Sequence, residues 1–100
     1  MGKNLRIEIR EALLKGPLAG EVRRLRLFGS YLHGEQREDS ALDLLVEFKA
    51  ESHIGFFKLA GLEESLASSL NRRVDLLTPQ QLSPYFMDEV LVEAEVIYEG

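Results

Sequence analysis

Two short aliphatic segments of this chain each hold one aspartate in their middle: Asp43 between Leu42 and Leu44 in ALDLLVEF, and Asp75 between Val74 and Leu76 in VDLL. Aspartate is depleted in strands, and an ionised carboxylate buried without a partner is costly. A chain that carries this feature twice needs something to compensate both charges, and a metal ion does so. Upstream, the apolar run Leu25-Arg26-Leu27-Phe28 stops at Gly29-Ser30, and a polar spacer leads to the segment that holds Asp43. The stretch from Leu25 to Phe48 therefore reads as strand, sharp turn and strand, with chemistry at both breaks.

The remaining pattern predicts what surrounds it. Leu5, Ile9 and Leu13 recur every four residues among Arg and Glu, and Gly16-Pro17 follows, which predicts a helix over 4–15 whose stripe covers a sheet. Residues 22–28 read as a strand, ended by Gly29-Ser30 before a short helical turn that Gly34 closes. Residues 35–40 form a polar loop and 41–48 a second strand. Leu59, Leu62, Leu66 and Leu70 mark a helix over 54–70, ended by Arg72-Arg73, and 73–78 reads as a third strand. Ser83 is an N-cap with Pro84 at the first helical position, predicting a helix over 84–94, and the tail VIYEG adds a last short strand. With 100 residues, 45% of them hydrophobic, the chain fits one domain over 1–100 with a single core. The class is α+β, a short mixed sheet with helices packed on one side.

Composition narrows the function classes. The chain has no cysteine, which removes disulfides, thiolate metal sites and cysteine nucleophiles, so any metal must be held by oxygen or imidazole. No apolar run is long enough for a membrane span, and the amphipathic N-terminus does not resemble a signal peptide, so a soluble cytoplasmic protein is expected. The net charge of −5 argues against direct binding to a nucleic-acid backbone. That charge is uneven: residues 1–50 hold 9 Lys/Arg against 8 Asp/Glu, and residues 51–100 hold 3 against 9. The acidic half suits a basic partner, or equally a solvated face that keeps a small domain soluble.

At Gly29 the absent side chain lets backbone approach a phosphate, the amides opening the next helical turn face the anion, and the Ser30 hydroxyl can add a donor. Alternate positions 41, 43 and 45 of the second strand point to one face, so ligands at the first two converge, and Asp75 can supply another from a neighbouring strand. His33 and His53 read as exposed spectators. Arg72 and Arg73 read as cations at a helix C-terminus, Tyr31 as a packed aromatic, and Arg23, Arg24 and Arg26 as a solvated strand edge.

Gly-Ser, a ten-residue spacer and a D-x-D position on a strand resemble the nucleotidyltransferase motif of the DNA polymerase beta-like superfamily. More closely, the chain is similar to the minimal nucleotidyltransferases (MNT proteins), commonly paired with HEPN-domain partners in bacterial and archaeal toxin–antitoxin systems. The likeness includes Phe28 before Gly-Ser, Gly34 in the spacer, Ser40 before the metal motif, the LLVEF ending, RRVDLLTP, and SPYFMDEVLVEA with its Ile-Tyr-Glu finish. It implies the minimal polymerase beta-like fold and an antitoxin that transfers AMP from ATP to a tyrosine of a HEPN ribonuclease toxin. Gly29 and Ser30 would then hold phosphates, and Asp43 and Asp75 would hold Mg²⁺ in a two-ion site.

The sequence departs from the family pattern at Ala41, where the first metal-binding aspartate falls. Mg²⁺ demands near-octahedral oxygen ligation and alanine supplies none. A loss of about 4 kcal/mol in transition-state stabilisation lowers a rate roughly a thousandfold, so the chain is expected to be catalytically impaired. With Gly29, Ser30, Asp43 and Asp75 all in register, Ala41 reads as an engineered replacement in an intact site rather than as decay of the whole site. The competing expectation is an antitoxin that neutralises its toxin by binding alone, with a vestigial nucleotide site. An enzyme acting on a small molecule or an RNA end fits less well, since the first usually carries an added helical domain and the second a more basic surface.

Overall fold

The computed structural model describes residues 4–100. Helix α1 (Leu5–Lys15) starts where the periodicity places it, because the Asn4 side chain accepts a hydrogen bond from the Arg6 amide at 2.8 Å and so caps the first turn. Strand β1 (Val22–Phe28), the single turn α2 (Ser30–His33) and strand β2 (Leu42–Phe48) follow. Then come α3 (Phe56–Leu70), β3 (Val74–Leu77), α4 (Pro84–Glu93) and β4 (Glu95–Glu99). Asn71, left-handed at φ 52°, ends α3, and Arg72 Nε donates to the Leu70 carbonyl at 3.2 Å, the C-terminal role expected of that arginine. Ser83 caps α4 by accepting from the Phe86 amide, with Pro84 first in the helix.

The four strands form one mixed sheet in the order β3-β2-β1-β4. Strand β1 runs antiparallel to both neighbours, and β2 and β3 are parallel, joined by the α3 crossover. The main core lies between one face of the sheet and helices α1 and α3: Ile9, Leu13, Leu25, Leu27, Leu42, Leu44, Val46, Leu62 and Leu66 are all fully buried. Burying each such side chain contributes roughly 1.5–3 kcal/mol.

The helices do not all share that face. Phe28, Leu45 and Val90 make a second, smaller cluster, against which Leu77, Leu82, Met87 and Ala94 pack, so α4 lies across the opposite side of the sheet. Strand alternation explains it: Leu44 and Leu45 point to opposite faces, and both are fully buried. The unbroken run Leu44-Leu45-Val46 signals a strand covered on both sides.

Two other expectations change. Strand β1 is interior, so its arginines do not form a solvated strand edge. Arg23 is exposed, but Arg26 pairs with Glu47, and Arg24 with both Glu47 at 3.8 Å and Glu99 at 3.1 Å, in a cross-strand ion network. The second strand begins at Leu42, which leaves Ala41 just ahead of it, where the Leu42 amide first bonds to the Arg73 carbonyl of the adjoining segment at 2.8 Å. At the β3 edge, the Glu63 carboxylate accepts from the Leu76 amide at 2.8 Å, supplying from α3 a partner that a further strand would otherwise give.

Candidate active site

The backbone at Gly29 (φ 78°, ψ −157°) lies in a region that only glycine occupies readily. This conformation turns the chain from β1 into α2, where the Leu32 amide returns to the Gly29 carbonyl at 3.1 Å. A Cβ built on Gly29 would fall on Oδ2 of Asp43 and lie 3.0 Å from its Cγ. Glycine is thus required twice, by the torsion and by the closeness of the carboxylate. Gly34 closes the turn in the left-handed region, and the Glu35 amide donates to the Ser30 carbonyl at 2.9 Å.

Asp43 stands opposite Phe28 in the antiparallel register with β1 and opposite Asp75 in the parallel register with β3. Val74 and Leu76 flank Asp75 and turn into the main core, so Asp75 takes the other face, together with Asp43 and Leu45. The two aspartates predicted from sequence are thereby brought side by side on adjacent strands, next to the Gly29-Ser30 turn. Burial raises the Asp43 pKa above the ordinary carboxylate range, and the neighbouring Asp75 charge raises it further.

A groove of about 800 Å³ opens here between the glycine turn and α4, with Gly29, Ser30 and Asp43 on one wall and Asp88, Glu89 and Glu93 on the other. Phe28, Phe86, Val90 and Val92 supply its apolar lining, with Phe28 and Phe86 edge to face at 6.5 Å. No lysine or arginine lines it. His33 does, and its Nε2 lies 3.0 Å from Oε2 of Glu93, so it bridges α2 to α4 and is not a spectator. His53 is exposed, far along the chain from these elements. Tyr31 packs on the main core with the Arg72 guanidinium 5.6 Å from its ring centre, while Arg73 donates to the Asp39 carbonyl at 3.2 Å. Sequence reasoning missed Glu35, Asp88, Glu89 and Glu93 as lining residues. For the three on α4 the available signal was the absence of any lysine or arginine after Arg73.

Two carboxylates held together, one with a raised pKa, and no lining lysine or arginine to offset them are a donor set that fits one hard divalent cation shared with a phosphate. A complete two-ion site is not present: among the described residues no three His, Asp or Glu side chains converge as metal ligands. Ala41, half-buried two residues before Asp43, contributes no donor.

A mixed sheet with paired aspartates beside a glycine-serine turn defines a nucleotidyltransferase domain. The chain belongs to the polymerase beta nucleotidyltransferase family, whose model matches residues 9–100. It is 42% identical over 77 residues to the protein adenylyltransferase MntA of Thermococcus cleftensis, covering 77% of this chain and 74% of that one. Its fold matches a solved protein named as a candidate minimal nucleotidyltransferase, with a TM-score of 0.75 and 37% identity over 91% of this chain and 90% of that one. It also matches a chain of the complex between a tri-AMPylated Shewanella oneidensis HEPN toxin and its MNT antitoxin, with a TM-score of 0.67 and 20% identity over 97% of this chain and 74% of that one. No helix among the described residues is long and apolar enough to cross a membrane.

Proposed function

We propose that this chain is an antitoxin-type protein adenylyltransferase whose acceptor is a tyrosine hydroxyl on a HEPN ribonuclease toxin. The hydroxyl oxygen gives up its proton to solvent as it attacks the α-phosphorus of ATP, the bond from that phosphorus to the oxygen bridging the β-phosphate breaks, AMP stays on the tyrosine and pyrophosphate leaves. The observation that carries the reading is the register pairing of Asp43 with Asp75 beside a glycine that leaves room only for the carboxylate. The adenylyltransferase name of the Thermococcus cleftensis relative and the AMPylated toxin in the Shewanella oneidensis complex support the choice of nucleotide and acceptor.

In this reading Gly29 and Ser30 receive the triphosphate through backbone amides and a hydroxyl, and Asp43 and Asp75 hold Mg²⁺. When bound, Mg²⁺ offsets the phosphate charge and polarises the α-phosphate. The half-buried site limits water at Asp43, which strengthens its electrostatic interactions. Ala41 leaves the ligand set one carboxylate short and lowers turnover on the order of a thousandfold, taking about 4 kcal/mol for that ligand. The incomplete ligand set, together with the exposure of Tyr85 and Val92 on α4 (86% and 85%), supports a second reading, neutralisation by binding alone.

The test is the intact mass of the HEPN toxin after incubation with Mg²⁺-ATP and either this chain or its Ala41→Asp variant. AMP-sized increments with the variant, and few or none with the chain as written, are expected. If neither form adds mass while the toxin remains bound and silent, the transferase reading fails and the binding reading stands.

A further inference from the structure

One wall of the groove is unsuited to a nucleotide. Asp88, Glu89 and Glu93 line it, and from Val74 to the C-terminus the sequence holds six carboxylates and no lysine or arginine. A triphosphate is repelled there and belongs at the opposite wall, against the Gly29-Ser30 turn. Neither Asp88 nor Glu89 has an ion-pair partner among the described residues, and Glu93 has only His33. Among the apolar side chains of this wall Val92 is 85% exposed and Phe86, packed edge to face on Phe28, is 43% exposed; Tyr85, on the same helix but outside the groove lining, is 86% exposed. Exposed apolar surface beside carboxylates of which two lack an ion-pair partner is complementary to a cationic amphipathic chain. A nucleic acid or an acidic peptide is repelled, and two copies of this chain meeting through α4 about a two-fold axis would set carboxylates against carboxylates.

We infer that the α4 wall of the groove is a docking surface for a basic, amphipathic segment of the acceptor protein, whose lysines or arginines meet Asp88, Glu89 and Glu93 and whose apolar side chains cover Phe86 and Val92. The inference rests on the groove being the site of transfer, and it adds the chemistry of the acceptor: its hydroxyl is carried on or beside a cationic stretch. Attraction by α4 brings that hydroxyl to the side of the groove that the nucleotide leaves free. Glu93 already has a partner in His33, so Asp88 and Glu89 carry most of the attraction.

The experiment titrates the ¹⁵N-labelled full chain with a short helical peptide of Leu, Lys and one Tyr, and with a counterpart in which every Lys is Glu. Amide shifts confined to α4 and the Gly29–His33 turn, produced by the Lys peptide alone, are expected. The Asp88→Lys, Glu89→Lys double variant weakens that binding on the order of tenfold. A control pair at exposed carboxylates elsewhere, Glu51→Lys and Glu64→Lys, leaves it unchanged. Shifts spread over the whole acidic surface, equal binding of the Glu peptide, equal loss in the control pair, or no binding of the Lys peptide each overturn the inference. The readout is binding by the chain as written and needs no turnover. A protein that binds through α4 yet transfers no AMP as Ala41→Asp loses the transferase reading alone, and one that transfers AMP without using α4 loses this inference alone.

Discussion

Gly29→Ala tests the tightest contact in the site. An alanine at φ 78°, ψ −157° is forced into a glycine-only region, at a backbone cost of about 2–3 kcal/mol. Its Cβ also displaces the Asp43 carboxyl from a half-buried position, and overpacking of this kind adds roughly 1–2 kcal/mol. Gly34 is the internal control, because its φ of 70° lies in the left-handed region and nothing stands within 4 Å of an added Cβ. Gly34→Ala therefore costs only the backbone term, about 1 kcal/mol. Urea unfolding at neutral pH, with unchanged m-values, gives both numbers. Repeating Gly29→Ala in an Asp43→Ala background removes the collision with the carboxyl and leaves the torsion and a Cβ contact of 3.1 Å, so the penalty falls by about 1–2 kcal/mol. If it does not fall, or if Gly29→Ala costs no more than Gly34→Ala, then closeness to Asp43 is not what requires a glycine there.

Three further outcomes follow from the same structure. Asp43 has a raised pKa when folded, so the native state keeps a proton that the unfolded chain has lost, and stability declines as pH rises from the ordinary carboxylate range through the raised value. Asp43→Asn removes that decline: its Tm exceeds the parent's at neutral pH and the difference closes below about pH 4, as melting curves across pH will show. Leu45→Ala opens the smaller core beneath α4 and costs about 2–4 kcal/mol in urea unfolding, with α4 amides losing protection from hydrogen exchange at least as early as the sheet. Mg²⁺ raises the Tm of Ala41→Asp more than that of the chain as written, because the added carboxylate completes a ligand set that Asp43 and Asp75 only begin; equal shifts would place the ion elsewhere.

Most of the element order could be read because α1 and α3 repeat leucine or isoleucine at helical spacing, Ser83-Pro84 marks the start of α4, and the strands end at glycine, proline or a polar run. The intrusion of Asp43 and Asp75 into strands marked the candidate site, since a lone carboxylate in such a place needs a compensating partner. Which face each helix covers was less legible. Leu44, Leu45 and Val46 imply two covered faces, but only the assembled sheet shows that α4 supplies the second cover. The arginines of β1 were misread for a related reason: strand order is a tertiary property, and local sequence does not say that β4 returns to flank β1. His33 and Glu93 lie 60 positions apart, and no spacing rule joins them.

Asp43 and Asp75 become neighbours only after α3 has carried the chain back and laid β3, a four-residue edge strand, beside β2. Long-range parallel pairing of this kind forms late, and a short edge strand is the first to detach. A polypeptide stalled on the ribosome after β2, or clipped within the crossover, holds one carboxylate and no pair. Detachment of β3 alone would separate the pair while β2, β1 and β4 stay joined, so under the proposed function the transfer site is lost while the other three strands remain paired.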